Sequence, residues 1–249
     1  MRITAAKTSP VRQERRRVLA VLAVIEVLAL AAPLATWSRV SRADLGIALL
    51  LISLSLVYSL FVIGWEKARR LLLFERAPAV TPNVLTTWRF AAVLLLPPEV
   101  AAAVTVVSAV GGWPAYNPAG DRRAYRYVYS TMASVLAASC ANRLFHSGLP
   151  LGQALAAAAA IWLLIEGGAI WLVLLASGQS GAARSMLHLR TYRLELITMA
   201  VATGEWLNHR VSLPLIWLSL PVAVVIQRYF TKAELQSRGP GIGPMDSQA

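Results

Sequence analysis

The chain has 249 residues, of which 57% are hydrophobic and 14% charged, with a mean hydropathy of +0.58; soluble domains carry about 25% charged residues, so a water-facing surface is excluded. The net charge is +12, yet the basic residues lie in gaps between apolar runs and form no continuous soluble face, which sets nucleic-acid binding aside. Cys140 is the single cysteine, so an internal disulfide and a cysteine-built metal cage are excluded as well.

The first 16 residues form a basic tail that is expected to be irregular. Arg12, Arg15, Arg16 and Arg17 then precede an apolar run from Val18 to Trp37. This start resembles a signal peptide, but the run continues for about 20 residues without a small-x-small cleavage pattern, which predicts an uncleaved first span. Arginines beside a span mark its cytoplasmic end, so the N-terminus is expected inside. A short turn over 38–44 leads to a second span, Leu45 to Trp65, which exits into the basic loop containing Lys67, Arg69, Arg70 and Arg76.

The stretch from Val84 to Trp113 is divided by Pro97 and Pro98. Proline removes a backbone donor and clashes with the preceding turn, so this stretch is either one long kinked helix or a hairpin of two short helices. The following loop carries Arg122, Arg123 and Arg126; a cytoplasmic location for it requires an even number of passes and favours the hairpin. A fifth span is predicted from Val128 to Phe145, a turn at Ser147, Gly148 and Pro150, and a sixth, alanine-rich span from Leu151 to Ala176. Arg184, Arg190 and Arg193 follow, then two spans over Leu194 to Leu207 and Leu213 to Gln227. The expected architecture is an all-α, polytopic transmembrane bundle over 17–228, of about eight spans, or about seven if 84–113 is one kinked helix. The tail over 229–249 contains Gly239, Pro240, Gly241, Gly243 and Pro244 and is expected to be cytoplasmic and irregular.

Ionisable residues inside apolar spans are functional hypotheses because burying a charge in lipid is costly. Glu26 lies mid-way along the first span, and Glu166 mid-way along the sixth beside Gly167 and Gly168, where a neighbour or ligand can approach its carboxylate. With Glu99 and Arg89 they form the candidate ligand-binding set; the alternative role for these carboxylates is an ion pair that fixes packing, with Arg89 or Arg143 as partner. Arg89, Arg143, Glu195 and Glu205 lie near span ends, from which long side chains reach the interface. His146, His188 and His209 supply too few ligands for zinc. No Ser-His-acid constellation, nucleotide loop or metal motif is present, so neither catalysis nor a cofactor is expected.

The Leu94-Leu95-Leu96-Pro97-Pro98 break, the basic loop and small-residue span from Arg122 to Ala141, Leu194-Glu195-Leu196 through Gly204, and the Pro221-containing exit ending Gln227-Arg228-Tyr229-Phe230 carry a resemblance. Over most of residues 17 to 236 the chain resembles the N-terminal multi-pass membrane region of actinobacterial diguanylate cyclases, which carry a cytoplasmic GGDEF domain after the last helix. The chain departs from that family after Arg238, where Gly-Pro residues stand in place of the cyclase, and no cyclase residue carries over. The resemblance implies a sensory or regulatory module in the cell membrane, with both termini cytoplasmic. Its expected surroundings are the lipid bilayer and a separate cytoplasmic signalling protein or a second copy of the chain. A small transporter or permease subunit is the competing expectation, because broken helices and intramembrane carboxylates are common at transport sites.

Overall fold

A computed structural model describes residues 10–35, 40–73, 85–116, 124–179, 192–209, 221, 222 and 224–226. All regular structure among them is helical: α1 (Pro10–Leu34), α2 (Arg42–Leu73), α3 (Thr86–Leu95), α4 (Pro98–Tyr116), α5 (Ala124–Phe145), α6 (Leu151–Ala176) and α7 (Arg193–His209). Three segments, Arg17–Leu34, Arg42–Gly64 and Leu151–Ala176, are long and apolar enough to cross a membrane. Their outer faces expose Val27, Leu30, Leu49, Leu60 and Leu164, while Ser55, Ser59, Ser108, Ser139, Asn142 and Arg89 are buried. Apolar outside and polar inside is the arrangement that lipid demands, because the bilayer core satisfies no polar group.

Side-chain contacts fix the direction of each helix. Ile25 of α1 packs with Tyr129 and Ala133 of α5, Ala29 packs with Val135, and Arg143 donates to the Ala32 carbonyl at 2.8 Å. Helices α1 and α5 are therefore parallel. Arg143 thus caps the C-terminal end of α1, where a cation meets unsatisfied carbonyls and the negative pole of the helix. Helix α6 runs antiparallel to α5, since the Tyr129 hydroxyl donates to the Ala169 carbonyl (2.8 Å) and Ser134 meets Glu166. Helix α4 is also antiparallel to α5: Ala102 packs near Val135, whereas Trp113 lies against Tyr127, with ring centroids 4.6 Å apart. It returns the chain to the end of the bundle where α1 and α5 begin.

The proline break is a hairpin. Helix α3 ends at Leu95, Leu96 is extended (φ −120°, ψ 157°), and α4 starts at Pro98. The two arms are unequal, ten residues in α3 and 19 in α4, whereas the sequence suggests near-equal halves. Ten residues reach about 15 Å, half the hydrocarbon thickness. Helix α3 is sealed inside protein: Leu85 and every residue from Thr86 to Leu94 are buried. Tyr58 of α2 tilts on Trp88 (5.3 Å), and Trp162 of α6 meets Phe90 edge-on (5.7 Å).

Asn142 makes that break tolerable. The carbonyl of Val93 would accept from residue 97 in an unbroken helix, and Pro97 has no N–H to give. The Asn142 amide donates instead to Val93 O at 2.7 Å and to Leu96 O at 2.8 Å. A single side chain from α5 thereby satisfies two acceptors released by the prolines.

Other boundaries differ from expectation. Helix α1 begins at Pro10, so the second part of the basic tail is helical; proline suits a first helical position, where its missing N–H is not needed. Helix α2 begins at Arg42 within the expected turn, because Ser41 and Asp44 form a capping box: Ser41 N donates to Asp44 Oδ2 (2.8 Å) and Asp44 N to Ser41 Oγ (3.1 Å). It runs for 32 residues, past the apolar run and through Glu66 to Arg70, a length of about 48 Å. Helix α5 starts at Ala124 rather than Val128, and α7 covers Arg193–His209. Helix α6 has its expected bounds, and Gly148 enters the preceding turn with φ +85°. Of the expected last span, residues 221, 222 and 224–226 are helical; its remainder and the tail over 229–249 lie outside the described residues.

Candidate functional site

Glu166 is the centre of a polar cluster. Its carboxylate accepts from Ser134 Oγ of α5 at one oxygen and from the Trp162 indole N–H at the other, the latter at 2.9 Å. Trp162 precedes Glu166 by four residues, so both project from one face of α6. The sealed α3 brings Arg89 close enough to act electrostatically on Glu166, and the Arg89 guanidinium also bonds the Tyr127 hydroxyl. Tyr127 in turn donates to the Ala109 carbonyl of α4. A line of polar contacts thus joins α4, α5, α3 and α6 through the interior.

The fifth element is α7. A Cβ placed on Gly167 would collide with the Tyr192 ring, so the missing side chain lets the start of α7 approach the turn of α6 that carries Glu166. Glu195, in the first turn of α7, is thereby brought close enough to Glu166 for the two carboxylates to interact. Its Oε2 is buried and has no hydrogen-bond partner.

Arg89 does not reach an interface as its place in the sequence suggests. It is 4% exposed, and its Nε is buried without a partner. Helix α3 starts inside the bundle, and side chains of a helix lean toward its N-terminus, which carries this guanidinium inward. Of the four candidate residues, Arg89 and Glu166 are brought together. Glu26 is half-buried on α1, and among the described residues no hydrogen bond joins it to Glu166. Glu99 stands in the first turn of α4 at the hairpin tip, away from the cluster, where an acidic residue suits the positive pole of its own helix. Arg143 serves α1 and not Glu166.

Ser134 and Tyr127 are the members that sequence reasoning passes over, and Glu195, which its place near a span end would send to the interface, instead buries an oxygen beside the cluster. The spacing of Trp162 and Glu166 and the run Ser130, Thr131, Ser134 on a small-residue span are the signals that point to them.

A second polar contact holds α2 to α4. Ser108 donates to Ser55 at 3.1 Å, while Ser55 and Ser59 return their own protons to the carbonyls of Leu51 and Ser55 at 2.9 and 2.8 Å. This contact is structural, since each hydroxyl is used within the two helices.

No protein-family model matches the chain, and no curated protein or solved structure matches it.

Proposed function

We propose that the chain is a non-catalytic sensory or regulatory module of the cell membrane, with its responsive centre at Arg89 and Glu166. The observation that carries this reading is the buried Glu166 carboxylate, held by Ser134 and Trp162 with the Arg89 guanidinium near enough to act on it electrostatically, inside the bundle between a half-length helix and a spanning one. Burying ionisable groups in a bundle offers little net stability over an apolar core of the same shape, and intramembrane ionisable residues are associated with function. Trp162, Phe90 and Trp88 close the cluster with fully buried rings, which suits a switch that reads its own protonation or a small ligand.

In this reading the N-terminus lies in the cytoplasm, the side that arginines beside a span favour, and the hairpin brings α4 back toward the end of the bundle where α1 begins. In this reading the last helix carries the response to a separate cytoplasmic protein or a second copy of the chain.

The test is a fusion of a cyclase output domain after Arg238, with product formation measured at matched protein levels. Glu166→Gln and Arg89→Met are expected to change output at least severalfold; identical output from all three proteins refutes the regulatory reading. The half-length α3 favours a second reading, a small transporter, because discontinuous helices line many substrate sites. That reading predicts solute or proton flux in proteoliposomes that Glu166→Gln abolishes.

A further inference from the structure

We propose that Glu166 and Glu195 together hold one exchangeable proton at the junction of α6 and α7, with Glu195 as its carrier. The inference starts from charge. Arg89 supplies one positive charge to the cluster, and Glu166 and Glu195 supply two carboxyl groups. If both are ionised, the interior holds an uncompensated negative charge, and a buried carboxylate without a partner takes up a proton instead.

Hydrogen bonding assigns the two roles. Glu166 has a donor at each oxygen, Ser134 and Trp162, and faces Arg89; an indole N–H can only donate, so this oxygen must accept. Glu195 offers a buried oxygen with no donor. The neighbouring groups among the described residues are, element by element, Arg89 on α3; Tyr127, Ser134 and Tyr129 on α5, the last with its hydroxyl on the Ala169 carbonyl; Trp162 on α6; Tyr192 and the exposed Arg193 at the start of α7; and Glu26 on α1, with no hydrogen bond to Glu166.

Ser134 gives the proton a second position. Its single hydroxyl proton has two acceptors, Glu166 Oε1 and the Ser130 carbonyl at 3.1 Å. When Ser134 donates to Ser130, a protonated Glu166 can donate to Ser134 Oγ with the heavy atoms unmoved. The proton taken from water by one carboxylate is therefore accommodated by either, and its loss places two like charges across the Gly167–Tyr192 contact. The proton site stands on this charge count; its use as a signal rests on the regulatory reading above.

The test is infrared difference spectroscopy of the full chain in lipid nanodiscs between acidic and alkaline buffer. A protonated-carboxyl band that disappears on alkalinisation is expected, and it should be lost or displaced in Glu195→Gln and displaced in Ser134→Ala, while Glu26→Gln and Glu99→Gln retain it. Absence of such a band from the wild-type protein overturns the proposal, as does a band removed only by Glu26→Gln or Glu99→Gln. If Glu195→Gln does not fold, Glu195→Asp decides: an unmoved band overturns the assignment to Glu195. A band present without any effect of these variants on the output fusion would retain the proton site and refute its signalling role.

Discussion

Replacing Asn142 removes the two bonds that hold the hairpin's break. Both acceptors are backbone carbonyls in the bundle interior, and Pro97 and Pro98 cannot supply substitutes. A buried acceptor left unmet costs about 1–3 kcal/mol, and interhelical bonds in membranes average about 0.6 kcal/mol. Taking about 1–2 kcal/mol for each carbonyl gives about 2–4 kcal/mol for Asn142→Leu, which keeps comparable volume. Asn142→Asp is expected to cost at least as much, because it sets a third acceptor against two others. The assay is denaturant unfolding in mixed micelles, with hydrogen exchange following the region around Leu96. A loss below about 0.5 kcal/mol in both variants, the level of an unremarkable surface change, would refute the capping role.

Gly167→Ala should destabilise by about 1–3 kcal/mol through overpacking against Tyr192 and increase hydrogen exchange in the first turns of α7; unchanged exchange would contradict the close approach. Arg143→Ala, which removes an exposed cap of α1, is expected to cost under about 1 kcal/mol and to increase exchange only near Ala32. His146 lies in the turn after α5, edge-on to Phe145 with ring centroids 5.0 Å apart, and its partial burial lowers its pKa from 6.5. The unfolded chain therefore binds this proton first, so the stabilisation is present above pH 6.5 and is lost as pH falls through the folded value. His146→Gln should flatten that part of the Tm profile, and a profile unchanged by the substitution would contradict it.

The helical class and the hairpin were legible in the sequence for physical reasons. Spans must be long and apolar, adjacent prolines must break a ladder, and arginines beside spans resist translocation. Helix α6 shows its bounds because Pro150 precedes it and Ser177-Gly178 follows. The arms of the hairpin were harder to place, since nothing local tells α3 to begin at Thr86; its burial against α2, α6 and α7 decides that. The capping box of Ser41 and Asp44 was readable from its spacing but lies in a stretch that looks like a turn. Asn142 and Ser134 carry no local signal of their importance, because a small polar residue on a small-residue span costs little and is common. The burial of Arg89 is hidden for a related reason: the sequence gives only distance along the chain from a span end, whereas its helix begins inside the bundle.

The central claim is that Arg89 and Glu166 form one interacting unit within the membrane interior. A double-mutant cycle with Arg89→Met and Glu166→Gln, measured by unfolding in mixed micelles, tests it most directly. Each single change should cost about 1–3 kcal/mol, since it removes a buried partner, while proton exchange at Glu195 offsets the charge left behind. The double variant should cost less than the two together by about 1–3 kcal/mol. Additivity to within about 0.5 kcal/mol would mean that the two residues do not interact, and would contradict the account.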